Sequence, residues 1–122
     1  MADKFLVILL NTDPGNPREL AAPFVQAAMA VSKEYEVEIV FTGRAGELAR
    51  RGVAEGIHLS GAGERSVHDV MRDAPLAGVK FKVCAPALEM WGDDLVPEVE
   101  ETVGAADVIG EAMTGNCVTF TY

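Results

Sequence analysis

The sequence has 122 residues, a length that suits one domain with a buried core but not two. Hydrophobic residues make up 49% and charged residues 24%, which is the composition of a globular chain and excludes wholesale disorder. Acidic residues outnumber basic ones 19 to 10, for a net charge of -9, so neither nucleic acid nor an anionic membrane surface is expected as a partner.

KFLVILLN, residues 4–11, opens with an unbroken apolar run and predicts a strand buried on both faces, as in a parallel sheet. The run from Phe5 to Leu10 is too short for a secretory signal, and a membrane span needs roughly 20 apolar residues. Two cysteines make no disulfide scaffold, and cytoplasmic residence is the default expectation. TDPGNP follows, dense in turn residues, with Asn16 placed to cap a helix and Pro17 suited to its first position. Leu20, Phe24, Ala27, Ala28 and Val31 then recur at helical spacing. Pro23 inside this stretch implies either a start near Ala22 or a kink.

VEIVFTG, residues 37–43, predicts the second strand, with a short helix over AGELARRG behind it. VAEGIHLSGAG carries too much glycine to be assigned. Val67, Val70, Met71 and Ala74 share one face of the next helix. VKFKVC, residues 79–84, predicts the third strand, and APALEMWG opens like a short helix. Residues 98–103 give a small fourth strand. GAADVIGEAMTG predicts a helix burying Ala105, Ile109, Ala112 and Met113, and CVTFTY closes the chain as a strand. With no internal repeat or linker, residues 1–122 read as a single domain. Alternating strands and helices with short loops predict α/β architecture on a mostly parallel sheet of about five strands.

In open parallel sheets, ligands gather beyond the carboxyl ends of the strands, where Cys84 falls. Pro86 suits the first position of the following helix, with Ala85 as its cap and Cys84 just before it. Backbone N–H groups and the helix dipole there favour a thiolate. Strand alternation puts Lys80, Lys82 and Cys84 on one face, so Lys82 can add a cation if its ammonium bends toward the sulfur. Two lysines on a covered strand point to a wet cleft or a subunit boundary. The plain alternative is that Cys84 is a small buried hydrophobe. Cys117 opens the last strand at the opposite sheet edge, too far away for a disulfide with Cys84.

Asn11, Thr12 and Asp13 in the first loop, with Gly43 and Arg44 after the second strand, fall at the same sheet edge as Cys84. Arg44 is a candidate to hold an anionic substrate group, with ordinary turn chemistry as the alternative. Glu64, His68 and Arg72 recur at i, i+4 and i+8, which reads as a solvated helix face. GAG at 61–63 lacks the rest of a dinucleotide fingerprint. The serines lie in no nucleophile elbow, and the two histidines and two cysteines lack metal-ligand spacing; no metal or other cofactor is expected.

Taken together, NTDPGNPREL, VEIVFTGRAGELARRGV, VKFKVCAPALEMWG and AADVIGEAMTGNCVTFTY resemble the DsrE/DsrF-like family, also called the YchN-like fold. The resemblance implies a three-layer sandwich with helices on both faces of the sheet, and a homo-oligomer (dimer, trimer or hexamer). It also implies that Cys84 is similar to the cysteine that carries persulfide sulfur in several members. Ala85 to Met90 contains no second cysteine to resolve a persulfide, which suits a carrier that hands sulfur on. The leading expectation is therefore a sulfur carrier or sulfurtransferase-like protein, with sulfur-donor and sulfur-acceptor proteins or small thiols as partners. The alternatives are a non-catalytic oligomeric binding or scaffold module of sulfur metabolism with an inert Cys84, and a small nucleotide- or anion-binding domain using the first loop.

Overall fold

Five parallel strands form one sheet: β1 (Lys4–Leu9), β2 (Glu36–Phe41), β3 (Lys80–Cys84), β4 (Val99–Val103) and β5 (Cys117–Thr121), in the order β4-β3-β2-β1-β5. The computed structural model describes residues 3–16, 20–57 and 66–122. Pro17, His58, the GAG at 61–63 and Glu64 lie outside them. Among the described residues, four α-helices connect the strands: α1 (Ala21–Ser32), α2 (Val67–Ala77), α3 (Ala85–Trp91) and α4 (Ala105–Ala112). Short 3-10 turns at Gly43–Ala49 and Ala54–Gly56 stand where the sequence predicted a helix and an unassigned stretch.

The strand order explains the layers. From β1 to β4 the chain steps across the sheet in one direction, so right-handed crossovers put α1, α2 and α3 on one face. The step from β4 to β5 runs back past β1, and the same handedness puts α4 on the other face. The two buried clusters follow this division. Val7, Leu9, Ile39, Phe41, Phe81 and Val83 pack with Leu20, Phe24 and Ala27 around α1 and with Val67, Met71 and Ala74 of α2. Leu6, Val40, Cys84 and Val103 pack on the opposite face with Val108 and Ala112 of α4. Phe24, Phe41 and Phe81 anchor the first core, with ring centroids 5.2–6.2 Å apart. Each such side chain stabilises the fold by roughly 1.5–3 kcal/mol through burial alone.

Local chemistry sets the helix ends. Leu20 occupies the N-cap of α1 in place of the expected Asn16, and Pro23 becomes the third helical residue. The helix thus starts one residue from the expected Ala22, and because a first-turn N–H has no intrahelical partner, Pro23 needs no kink. Ser66 caps α2 through a reciprocal pair: its hydroxyl accepts the Asp69 N–H, and Asp69 accepts the Ser66 N–H.

Of the expected buried face of α4, Ala112 packs against the sheet, but Ala105, Ile109 and Met113 are exposed. Ile109 and Met113 are 62% and 78% exposed, while Val108 and Ala112 face the sheet. Two apolar stripes compete on this helix, and Glu111 decides between them. It shares a face with Val108 and Ala112, and it pairs with Lys4 of β1 at 2.5 Å, turning that stripe inward.

Candidate functional site around Cys84

Cys84 ends β3 and is itself the N-cap of α3, one position later in the cap scheme than the sequence suggested. Ala85 is then the first helical residue and Pro86 the second. The side chain makes no capping hydrogen bond. Cysteine lacks the strong acceptor of serine or aspartate, and Pro86 offers no N–H to a capping side chain. A thiolate at this position would meet the positive end of the helix, although α3 has only seven residues.

Alternation along β3 sends the Cys84 side chain to the α4 face, where the residue is 7% exposed. Its cluster neighbours Leu6, Val40 and Val103 all line a hollow of about 360 Å³ between the sheet and α4. Glu38, Lys82, Glu101 and Glu111 give that hollow its polar wall. The sulfur thus belongs to an apolar cluster beside a charged cavity.

The expected cation lies elsewhere. Lys82 Nζ donates to Glu38 Oε1 at 3.0 Å and stands 3.9 Å from Glu101. Lys4 reaches the other oxygen of Glu38 at 3.2 Å. Glu38 is 4% exposed and sits between the two ammonium groups. Burial alone would push its carboxyl up, yet hydrogen bonds from Lys82 and Lys4, with their charges, hold it below the usual glutamate range. Burial likewise opposes the Lys4 ammonium, and Glu111 and Glu38 outweigh it, raising the group above the usual lysine value. Of the two lysines that the sequence marked on β3, Lys82 is therefore answered by a buried glutamate, and Lys80 is exposed. Glu38 is the site residue that sequence reasoning missed; an acid inside the otherwise apolar run VEIVF was its signal.

Asn11, Thr12 and Asp13 follow β1, and Gly43 and Arg44 follow β2, so all five lie at the carboxyl edge as expected. Asp13 accepts the Gly15 N–H at 2.8 Å, and Arg44 approaches Asp13 at 3.7 Å in an exposed pair. Asn11 donates its backbone N–H to Tyr122, and Thr12 is buried. Gly43 has φ +55, and a Cβ there would lie 2.6 Å from Leu10 Cδ1 and 2.9 Å from its carbonyl oxygen. The Gly43 carbonyl accepts the Trp91 indole N–H at 2.9 Å, tying the end of α3 to this loop. Gly46 allows Ala87 to come close from the same helix.

Two further expectations meet the structure. His68 is not on a solvated face: its Nε2 lies 2.5 Å from Glu98 Oε1, and both side chains are largely buried. Arg72 pairs with Asp69 instead. Cys117 is level with Lys4 while Cys84 is level with Leu10, so the register separates the two sulfurs by roughly 20 Å along the strands as well as across three of them. Both thiols are free. Among the described residues, no three His, Cys, Asp or Glu side chains gather as a metal site, and no helix is long and apolar enough to cross a membrane.

A model of the DsrE/DsrF-like family matches residues 3–112, almost the whole chain. The chain belongs to the DsrE/DsrF-like family. A solved structure of a protein of unknown function from Methanobacterium thermoautotrophicum is similar to it, with a TM-score of 0.62, 20% sequence identity and 98% of each chain covered. That likeness carries the fold alone. No curated protein matches the sequence. Cys84 lies within the family match.

Proposed function

We propose that this DsrE-like protein is a sulfur carrier, with Cys84 as the residue that holds and transfers sulfur. The observation that carries the reading is the position of Cys84: the N-cap of α3 at the carboxyl end of an interior strand, with no capping hydrogen bond. Family membership supports a role in sulfur metabolism. The Cys84 thiolate attacks the outer sulfur of a persulfide donor R–S–SH. The donor S–S bond breaks, R–S⁻ leaves and takes up a proton, and Cys84 becomes Cys84–S–SH. An acceptor thiolate then attacks the outer sulfur and releases the Cys84 thiolate, so no external oxidant or reductant is consumed. First-turn amides of α3 stabilise the thiolate in both steps.

In this reading Asn11, Thr12, Asp13, Gly43 and Arg44 form the edge at which a donor or acceptor docks, with Arg44 exchanging Asp13 for an anionic group of the partner. Lys82 contributes through the charged cavity rather than by contact with the sulfur. Donor and acceptor proteins or small thiols are the proposed partners. Incubating the protein with a polysulfide and weighing it intact tests the idea: the wild type gains one sulfur atom, mapped to Cys84, and Cys84→Ser gains none. Equal uptake by Cys84→Ser overturns it.

One observation favours a second reading. Cys84 is 7% exposed against Leu6, Val40 and Val103, as a packed structural thiol would be. The protein would then be a non-catalytic binding or scaffold module. Alkylation that is slow in the native state and fast after denaturation supports this module; fast native alkylation supports the carrier.

A further inference from the structure

The strand order leaves one strand bare on one side. α1 packs over β1 and β2, and α2 and α3 follow towards β4, so among the described residues no helix lies over β5 on that face. Val118 and Phe120 point to it and remain 45% and 47% exposed. Phe5 is level with Val118 on the neighbouring strand, and its ring meets Phe120 edge to face at 4.9 Å. On α1, Gln26, Met29, Ala30 and Lys33 recur at i, i+3, i+4 and i+7 and form the facing wall. A groove of about 370 Å³ runs between that wall and β5, with Tyr35 at the amino edge, one residue before β2.

Apolar side chains make up most of the lining, and three polar ones join it. Among the described residues, the side chains of Gln26, Lys33 and Tyr35 form no hydrogen bond or ion pair with the protein. Lys4 also lines the groove, but its ammonium is held by Glu38 and Glu111 on the α4 face. No acidic residue lines it, and Glu36, beside Tyr35, turns to the α4 face with Lys4. The carbonyls of Met29, Ala30 and Val31 accept the N–H groups of Lys33, Glu34 and Tyr35, which tempers the negative end of α1 next to Lys33. The unpaired charge of the groove is thus a cation, in a chain of net charge -9.

We propose that this groove binds a small apolar carboxylate, with its hydrocarbon body on Phe5, Val118 and Phe120 and its anionic end on Lys33 and Tyr35. Charge complementarity selects the occupant: an ammonium without a partner attracts an anion, and a cationic or neutral ligand gains nothing from it. The apolar floor selects the body, since burying the exposed parts of Val118, Phe120 and Met29 is what favours binding. Phe5, Phe120 and Tyr35 also offer ring edges and faces, so a two-ring aromatic acid fits better than a straight chain. The volume lies at the lower end of the range for small-ligand sites, roughly 300–1,000 Å³. The groove reaches the amino edge of the sheet, whereas Cys84 ends β3 at the carboxyl edge, so the site is separate from the sulfur chemistry proposed above.

Calorimetric titration with 2-naphthoate, octanoate and 2-naphthylmethylamine tests the site. 2-Naphthoate is expected to bind one per chain with a Kd on the order of 0.1 mM, more tightly than octanoate. The amine should bind about tenfold more weakly than 2-naphthoate. Lys33→Gln should weaken 2-naphthoate about fivefold and bring the two ring ligands within about twofold of each other, a change of preference that a loss of structure would not give. Met29→Glu, which puts an acid in the wall, should reverse the preference. Amide shifts on the unaltered protein guard against misfolded variants: 2-naphthoate should move Phe5, Met29, Val118 and Phe120 and leave Cys84 unmoved. Equal binding of acid and amine to the wild type, shifts confined to other residues, or no binding at about ten times the expected Kd overturns the site. Binding that fades as protein concentration rises also overturns it, because a second copy then covers the groove. None of these results depends on whether Cys84 carries sulfur.

Discussion

Lys82 Nζ meets Glu38 Oε1 at 3.0 Å, and the register shows which way it has leaned. Lys82 is level with Val40, and Glu38 lies two residues nearer the amino edge of the sheet. Cys84 lies two residues toward the carboxyl edge. The cation has therefore turned from the sulfur to a buried carboxylate.

Replacing the cation should then matter little to the thiol. Lys82→Met is expected to change the native alkylation rate of Cys84 at neutral pH by less than about threefold, because a cation held elsewhere contributes little to a thiolate. Iodoacetamide kinetics with mass readout check this. A tenfold loss of rate would mean that Lys82 acts on the sulfur directly.

Glu38→Gln should destabilise the protein by on the order of 3 kcal/mol, since it strips two largely buried ammonium groups of their shared partner. The sign with pH follows from the lowered Glu38 carboxyl. Its contribution is complete above the ordinary glutamate range and is lost as pH falls through that range to the lower folded value. Urea unfolding of both proteins across acid pH should show their difference shrinking as pH falls; a constant gap would contradict the triad.

Gly43→Ala should lower stability by about 1–3 kcal/mol, because its Cβ would strike Leu10 and its φ of +55 is unfavourable for alanine. Gly110→Ala, in a helix with open space around the new methyl, should raise stability by about 0.5–1 kcal/mol. Opposite shifts in thermal midpoint are the readout.

His68→Ala should cost about 1–3 kcal/mol by leaving the Glu98 carboxylate without its partner; its Oε2 is already buried without a hydrogen bond. Arg72→Ala, which breaks an exposed pair on the same helix, should cost about 0.5 kcal/mol or less. Denaturant midpoints of the two variants separate these cases.

The sequence by itself determined the parallel α/β plan, because long apolar runs such as FLVILL make sense only with helices covering both faces, and alternation put Lys82 and Cys84 on one face without any knowledge of neighbours. The position of Cys84 at a strand end before Pro86 was equally legible. Which strands lie side by side was not, since register comes from contacts distant along the chain. Only the tertiary structure set Glu38 between Lys4 and Lys82, His68 against Glu98, and Val108 rather than Ile109 against the sheet. Each placement depends on a charge carried by another strand or segment, which no local pattern shows.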